Sequence, residues 1–149
     1  MLENMAYENN EMKFVAVVNR KHSLASILNA LAHTAFGLSG KGVNPEHLLD
    51  YSNSASGFLA KIDEYPFIIL DAKNSNQLQT LVSSVMSNQR IAYNVFTTSM
   101  IGTCAEAQLK ATREALNDGL DFVVVVLFGA REDVDPLTRK FSLTKGEMP

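Results

Sequence analysis

Side chains able to do chemistry fall into three stretches of the sequence. Arg20, Lys21 and His22 stand together just ahead of an amphipathic segment that opens at Ser23. A helix N-terminus presents free N–H groups and a partial positive charge, so cationic side chains there, with Asn19 beside them, suit a small anion such as a phosphate or carboxylate. Inside that segment Ser26, Asn29 and His33 stand at i, i+3 and i+7, on one helix face. An imidazole so placed can act as general base or orient a ligand, which makes His33 the candidate catalytic residue. The third stretch holds Thr97, Thr98, Ser99 and Thr103 around Gly102, with Cys104 at the start of the following helix. Strand-exit loops of this kind are where open α/β sheets bind ligands, and a helix dipole favours a thiolate at its first turn. Asn19, Arg20, His22, Ser26, Asn29, Thr97, Thr98, Ser99 and Thr103 form the candidate ligand-binding set.

Each stretch also has a plain structural explanation: solvated loop cations, a helix face packed on a neighbour, hydroxyls that cap. Several chemistries lack their signatures. Neither a G-x-G-x-x-G nor a Walker A pattern occurs, so no nucleotide phosphate loop is written here. The charged run Arg131-Glu132-Asp133-Val134-Asp135 has no histidine or metal-spaced ligand near it, and neither a metal nor a cofactor is expected. A single cysteine rules out an intramolecular disulfide framework and suits a reducing compartment.

The chain has 149 residues, 46% hydrophobic and 19% charged, in the range of one globular domain. Its net charge of −3 has an address, because Glu3, Glu8 and Glu11 all precede the first basic residue, Lys13. The remainder is balanced and offers no basic footprint, so nucleic acid is not an expected partner. Nothing approaches the apolar length of a membrane span, and a cytoplasmic protein is expected.

Alternating elements must position these groups. Residues 1–12 read as a mobile polar leader, and residues 13–149 as a single α/β domain. Phe14–Val18 predicts a buried strand, followed from Ser23 by a helix with Leu24, Ile27, Leu28, Leu31, Ala35 and Leu38 toward the core and Gly37 and Gly40 ending it. Residues 39–66 are irregular, with a helical turn at Pro45–Leu49. A strand at Phe67–Leu70 leads to a helix capped by Asn74, with Gln77 completing a capping box and Leu78, Leu81, Val82, Val85 and Met86 inward. Ile91–Phe96 reads as an edge strand, since Tyr93 and Asn94 interrupt it. Thr103 should cap a third helix with Ala105, Leu109, Thr112 and Leu116 facing the core. Phe122–Phe128, apolar at seven successive positions, must be buried on both faces. The rest reads as a loop with one helical turn and a short extended end. The expected fold is α/β: a four-stranded, mainly parallel or mixed sheet with helices on both faces.

The strand Phe14–Asn19 running into Asn29-Ala30-Leu31-Ala32-His33-Thr34-Ala35, the Tyr65-Pro66 strand, and the tail from Leu127-Phe128-Gly129 to Asp135-Pro136-Leu137-Thr138 resemble the bacterial family filed as domain of unknown function two-thousand. That family is similar in fold to type 2 peptidyl-tRNA hydrolases, which implies such a fold here. The hydrolase chemistry does not carry over. Counting back from His33, Ser26 stands where the hydrolases have a catalytic Lys and Ala30 where they have Gln, and Phe96-Thr97-Thr98-Ser99 lacks their loop Asp. The expectation is a homodimeric small-molecule or anion-binding, regulatory protein without that activity. The alternative is a hydrolase or transferase using His33 with the Thr/Ser hydroxyls or Cys104.

Overall fold

The computed structural model describes residues 11–43 and 48–145. Its centre is a pair of antiparallel strands, β1 (Met12–Asn19) and β6 (Phe122–Ala130). The remaining strands are β2 (Leu48–Ser52), β3 (Leu59–Asp63), β4 (Phe67–Ala72), β5 (Ala92–Thr97) and β7 (Ser142–Leu143). The main sheet has five strands in the order β5-β6-β1-β4-β7, not four, because the extended end of the tail adds β7 beside β4. It is mixed. Strands β1, β4 and β5 run the same way, but β6 lies between β1 and β5, so β1–β4 is the parallel pair. As expected, β5 is an edge and β6 is internal.

Helices cover both faces. On one face α1 (Leu24–Leu38) sets Ile27, Ala30 and Leu38 against Phe14, Ala16, Val18, Val124 and Val126. On the other, α2 (Ser75–Met86) and α4 (Arg131–Thr138) set Leu78, Leu81, Val85 and Val134 against Val15, Val17, Val125 and Leu127. The buried Val, Leu, Ile and Phe side chains each contribute about 1.5–3 kcal/mol relative to exposure, and they account for where the strands lie.

Helix α1 is rotated from the expected phase. It buries Ile27, Ala30, Thr34 and Leu38 and leaves Leu24 and Leu28 exposed. Ala30 lets the helix sit close on the sheet, and Thr34 tolerates burial because its hydroxyl donates to the Ala30 carbonyl at 2.6 Å. Gly37 is inside the helix rather than its terminator. Asn74 caps α2 as expected, accepting from the Gln77 N–H at 3.1 Å, while the Gln77 side chain accepts from Lys73 N–H at 2.8 Å.

The third helix, α3 (Ala105–Glu114), contradicts expectation most. It buries no residue, and Leu109 and Leu116 are 69% and 75% exposed. Since β5 is the last strand on its side, the chain leaving Thr97 has no further strand to cover. Cys104, not Thr103, occupies the N-cap position, and its side chain makes no capping bond. The tail forms the eight-residue α4 where one turn was expected.

The irregular 39–66 stretch contains the β2–β3 ribbon, closed by a turn in which Gly57, at φ +81°, donates to the Asn53 carbonyl at 2.9 Å. The helical turn expected at Pro45–Leu49 falls mostly outside the described residues, and its end, Leu48–Leu49, opens β2. Residues 1–10 of the expected leader also lie outside them. Regular structure starts one residue before the expected boundary, as Met12 pairs with Ala130 and the Glu11 carbonyl accepts from the Arg131 N–H at 2.7 Å.

The family-like tail has a packing role. Gly129 admits α4, since a Cβ there would meet the Arg90 carbonyl oxygen at 3.3 Å and Val134 at 3.4 Å. Lys13, nearly buried in β1, pairs with Asp135 of α4. Asp135→Ala should therefore lower stability by about 1–3 kcal/mol, the cost of stranding a buried cation, in urea unfolding. Adding Lys13→Met should restore most of the loss, and a neutral single variant would refute the pairing's role.

Asp63, at the end of β3, has its carboxyl raised above its usual 3.8 by burial, opposed by the Asp63 and Tyr65 backbone bonds. A carboxyl raised in the folded state keeps its proton longer than in the unfolded chain. Its contribution favours folding below the unfolded value and is lost as pH climbs through the folded one. Asp63→Asn should flatten the thermal midpoint against pH above the carboxyl's usual 3.8; an unchanged profile would exclude this.

Candidate functional site

The carboxyl ends of β1, β4 and β5 and the start of β6 meet at one end of the sheet, and most of the nominated residues gather there. Buried Asn19 spans the strands, donating to the Phe122 carbonyl at 2.9 Å and accepting from the Lys21 N–H at 3.0 Å. Arg20 lies 3.4 Å from Asp71, and His22 Nε2 lies 3.2 Å from Asp121. Two of the three basic side chains that suggested an anion site thus face carboxylates. Ser26 closes the α1 cap, its N–H donating to the Ser23 hydroxyl at 3.2 Å.

The hydroxyls form a chain of their own. Thr97, buried, bonds Ser99 at 2.6 Å; Ser99 bonds Thr112 at 2.8 Å; and Thr112 donates to the Gln108 carbonyl at 2.8 Å. This ladder ties α3 to the single-turn helix at Thr98–Met100. Thr98 serves through its backbone, donating to the Asp121 carbonyl at 3.0 Å. Thr103 and Cys104 are exposed.

Asn29 and His33 belong to a different place: a cleft of about 560 Å³ between α1, the β5 edge and the loop leading into α3. Its polar groups are Asn29, His33 and Thr34 of α1, Asn94 of β5 and Gln108 of α3; Phe96, Val95, Met100 and Ile101 make its apolar walls. No Lys, Arg, Asp or Glu lines it among the described residues. The His33 ring is exposed and lies 6.4 Å from the Phe96 ring at 29° between planes. Gln108 donates to the Gly102 carbonyl at 3.1 Å, which braces the loop.

Asn94, in the sequence only a mark of an edge strand, does more in the fold. Its Nδ2 donates to the Thr34 carbonyl at 3.0 Å and its Oδ1 accepts from the Val95 N–H at 3.1 Å, so one side chain clamps helix to strand. Gly37 is required for this, because a Cβ there would stand 2.7 Å from Asn94 Nδ2. A polar side chain inside an apolar strand, opposite a helical glycine, was the available signal.

The nucleophile and base of the enzyme reading are not assembled. No hydrogen bond joins His33 to Ser26, Thr97, Thr98, Ser99 or Cys104 among the described residues, and Asp121 faces His22. Nor does any cluster of three or more His, Cys, Asp or Glu stand ready for a metal ion among them.

The sequence profile of DUF2000, described as a protein of unknown function, matches residues 12–145. The chain belongs to the DUF2000 family. No curated protein matches it. Among solved structures it is similar to a protein of unknown function, Atu0240, from Agrobacterium tumefaciens strain C58, at 16% identity and a TM-score of 0.78, covering 91% of this chain and 99% of that one. That likeness establishes a shared fold. In this DUF2000 chain, Gly37→Ala should push Asn94 off the Thr34 carbonyl and cost about 1–2 kcal/mol, the loss of a partly buried hydrogen bond plus local strain. Amide exchange should quicken first in β5; an undisturbed β5 would refute the clamp.

Proposed function

We propose that this chain is a small-molecule-binding, regulatory protein that takes an uncharged, hydrogen-bonding ligand in the α1/β5 cleft and has no peptidyl-tRNA hydrolase activity. The observation that carries this is the cleft's lining: amides and an imidazole that donate and accept, apolar walls, and no formal charge. Its volume is that of a small-molecule site. An anion finds less support at the β1 rim, where Asp71 and Asp121 already oppose Arg20 and His22. On this reading a peptidyl-tRNA-hydrolase-like fold is kept without its chemistry, since Ser26 and Ala30 replace the hydrolase Lys and Gln.

A thermal-shift screen of neutral amides and nucleosides against inorganic phosphate and simple carboxylates tests it, because a ligand selective for the native state raises apparent stability. Neutral compounds should stabilise the chain and move the NMR signals of Asn29, His33 and Gln108. His33→Ala should weaken the best of them about tenfold, equivalent to about 1.4 kcal/mol. Hits confined to anions that move Arg20 and His22 would overturn the assignment.

A further inference from the structure

Lys13 is a charge inside the fold that the α1/β5 cleft does not use. Its side chain is nine-tenths buried, and among the described residues its ammonium pairs with Asp135 alone. An ammonium carries three N–H donors, and a buried cation is stable only where acceptors meet it. Lys13 also lines a cavity of about 480 Å³ on the α2/α4 face, the side of the sheet opposite the α1/β5 cleft. The cavity exists because α2 and α4 pack mainly over β6 and β1. Strand β4 is left at the margin, and its Ile68 and Leu70, in register with Val15 and Val17 of β1, stay half-buried. Val15, Ile68 and Leu70 make an apolar floor, to which Phe141 adds a wall, held by its N–H bond to the Thr138 carbonyl at 3.0 Å.

The ionisable lining is Lys13, Asp135 and Arg139, two cations against one carboxylate. Arg139, at the end of α4, is exposed, and no carboxylate pairs with it among the described residues. The Thr138 hydroxyl donates to the Val134 carbonyl at 3.1 Å, so the side-chain donors left for a guest are the two cations. Lys140, outside the lining, stands 5.3 Å from the Phe141 ring centroid and raises the positive potential around the site.

We propose that this cavity is a binding site, separate from the α1/β5 cleft, for a monocarboxylate with an apolar body such as a short acyl chain. Lys13 and the Arg139 guanidinium take the carboxylate, and the chain lies on Val15, Ile68 and Leu70. Each feature of the guest follows from the lining. One surplus positive charge matches one negative charge, whereas a phosphate dianion would bring an unmatched charge against Asp135. The planar guanidinium meets a carboxylate with two parallel hydrogen bonds. The floor carries no polar side chain, so a hydroxylated body would give up its bonds to water without replacement. The volume is that of a small-molecule site.

An NMR titration of the full chain with acetate, butyrate and hexanoate, and with hexanamide as the uncharged counterpart, tests the site. Affinity should rise about two- to fourfold for each added methylene, as burial of a CH₂ group predicts. Saturable shifts should appear at Val15, Leu70 and Phe141 and not at Asn29 or His33. Hexanamide should bind about tenfold more weakly than hexanoate, having no charge for the two cations. Arg139→Gln should weaken hexanoate about tenfold with circular dichroism unchanged, because the replaced side chain is exposed. Lys13→Met with Asp135→Ala, which removes the buried pair together, should weaken it as well. Affinity that is flat along the series, hexanamide binding as tightly as hexanoate, shifts confined to the α1/β5 cleft, or an Arg139→Gln chain that binds like wild type would each overturn the proposal.

Discussion

A strand that is apolar at every position has two faces to hide, and this chain places two such strands side by side. From Phe14 to Val18 in β1 and from Phe122 to Leu127 in β6, the side chains are buried without alternation. Their antiparallel pairing, Val18 to Val124 through Phe14 to Phe128, forms the axis of the sheet. Neither face can be left to water. The placement of α1 on one side and of α2 and α4 on the other follows from that demand, as do the tight fit at Gly129 and the pairing of Lys13 with Asp135, which bring α4 down onto the end of β6.

The same axis determines what the polar residues can do. With β6 reversed between β1 and β5, the ends of three co-directional strands converge on the start of β6, and the backbone groups exposed there need partners. Asn19, Thr98 and Ser75 supply them: Asn19 to the Phe122 carbonyl at 2.9 Å, the Thr98 N–H to the Asp121 carbonyl at 3.0 Å, and the Phe122 N–H to Ser75 at 2.9 Å. Residues that look like a ligand site in a one-dimensional reading are thus largely occupied in stitching one end of the sheet. The groups left facing a cavity lie to the side, where α1 overhangs the β5 edge.

Much of the fold was legible because its signals are local or periodic. The unbroken apolar run at 122–128 announced an internal strand, Tyr93 and Asn94 an edge, and Asn74 with Gln77 a helix start. What escaped depends on distance. The phase of α1 could not be read from its leucines because Ala30 and Thr34, unremarkable as core residues, win burial by size and by an internal hydroxyl bond. The period of α3 suggested a core face, but whether a core lies beneath a helix depends on strand order, which the chain does not display. The ribbon is hidden in the sequence because Asn53-Ser-Ala-Ser-Gly57 reads as loop composition, although the flanking Leu49, Tyr51, Ala60 and Ile62 keep a two-residue period. The candidate site was legible in part: Ser26, Asn29 and His33 share a helix face as expected, yet only Asn29 and His33 reach the cleft, and Asn94 and Gln108 come from elements whose approach no local pattern encodes.

The weak anchoring of α3 bears directly on the cleft. Its walls are unequal in stability: α1 and β5 belong to the packed core and are clamped by Asn94, whereas the third wall, from Met100 to Gln108, stands on a helix with no buried residue. That helix is held mainly through the chain Thr97–Ser99–Thr112 and the Gln108 bond to Gly102. Segments with few buried apolar contacts open at the low end of a protein's stability range. A ligand entering between His33 and Gln108 would therefore meet one rigid side and one that adjusts at small energetic cost. The α3 wall also exposes apolar surface at Ile101 and Leu109. On the proposed reading, a ligand there would be selected first by the donors and acceptors of α1 and β5, and only then by the shape that the α3 wall can take.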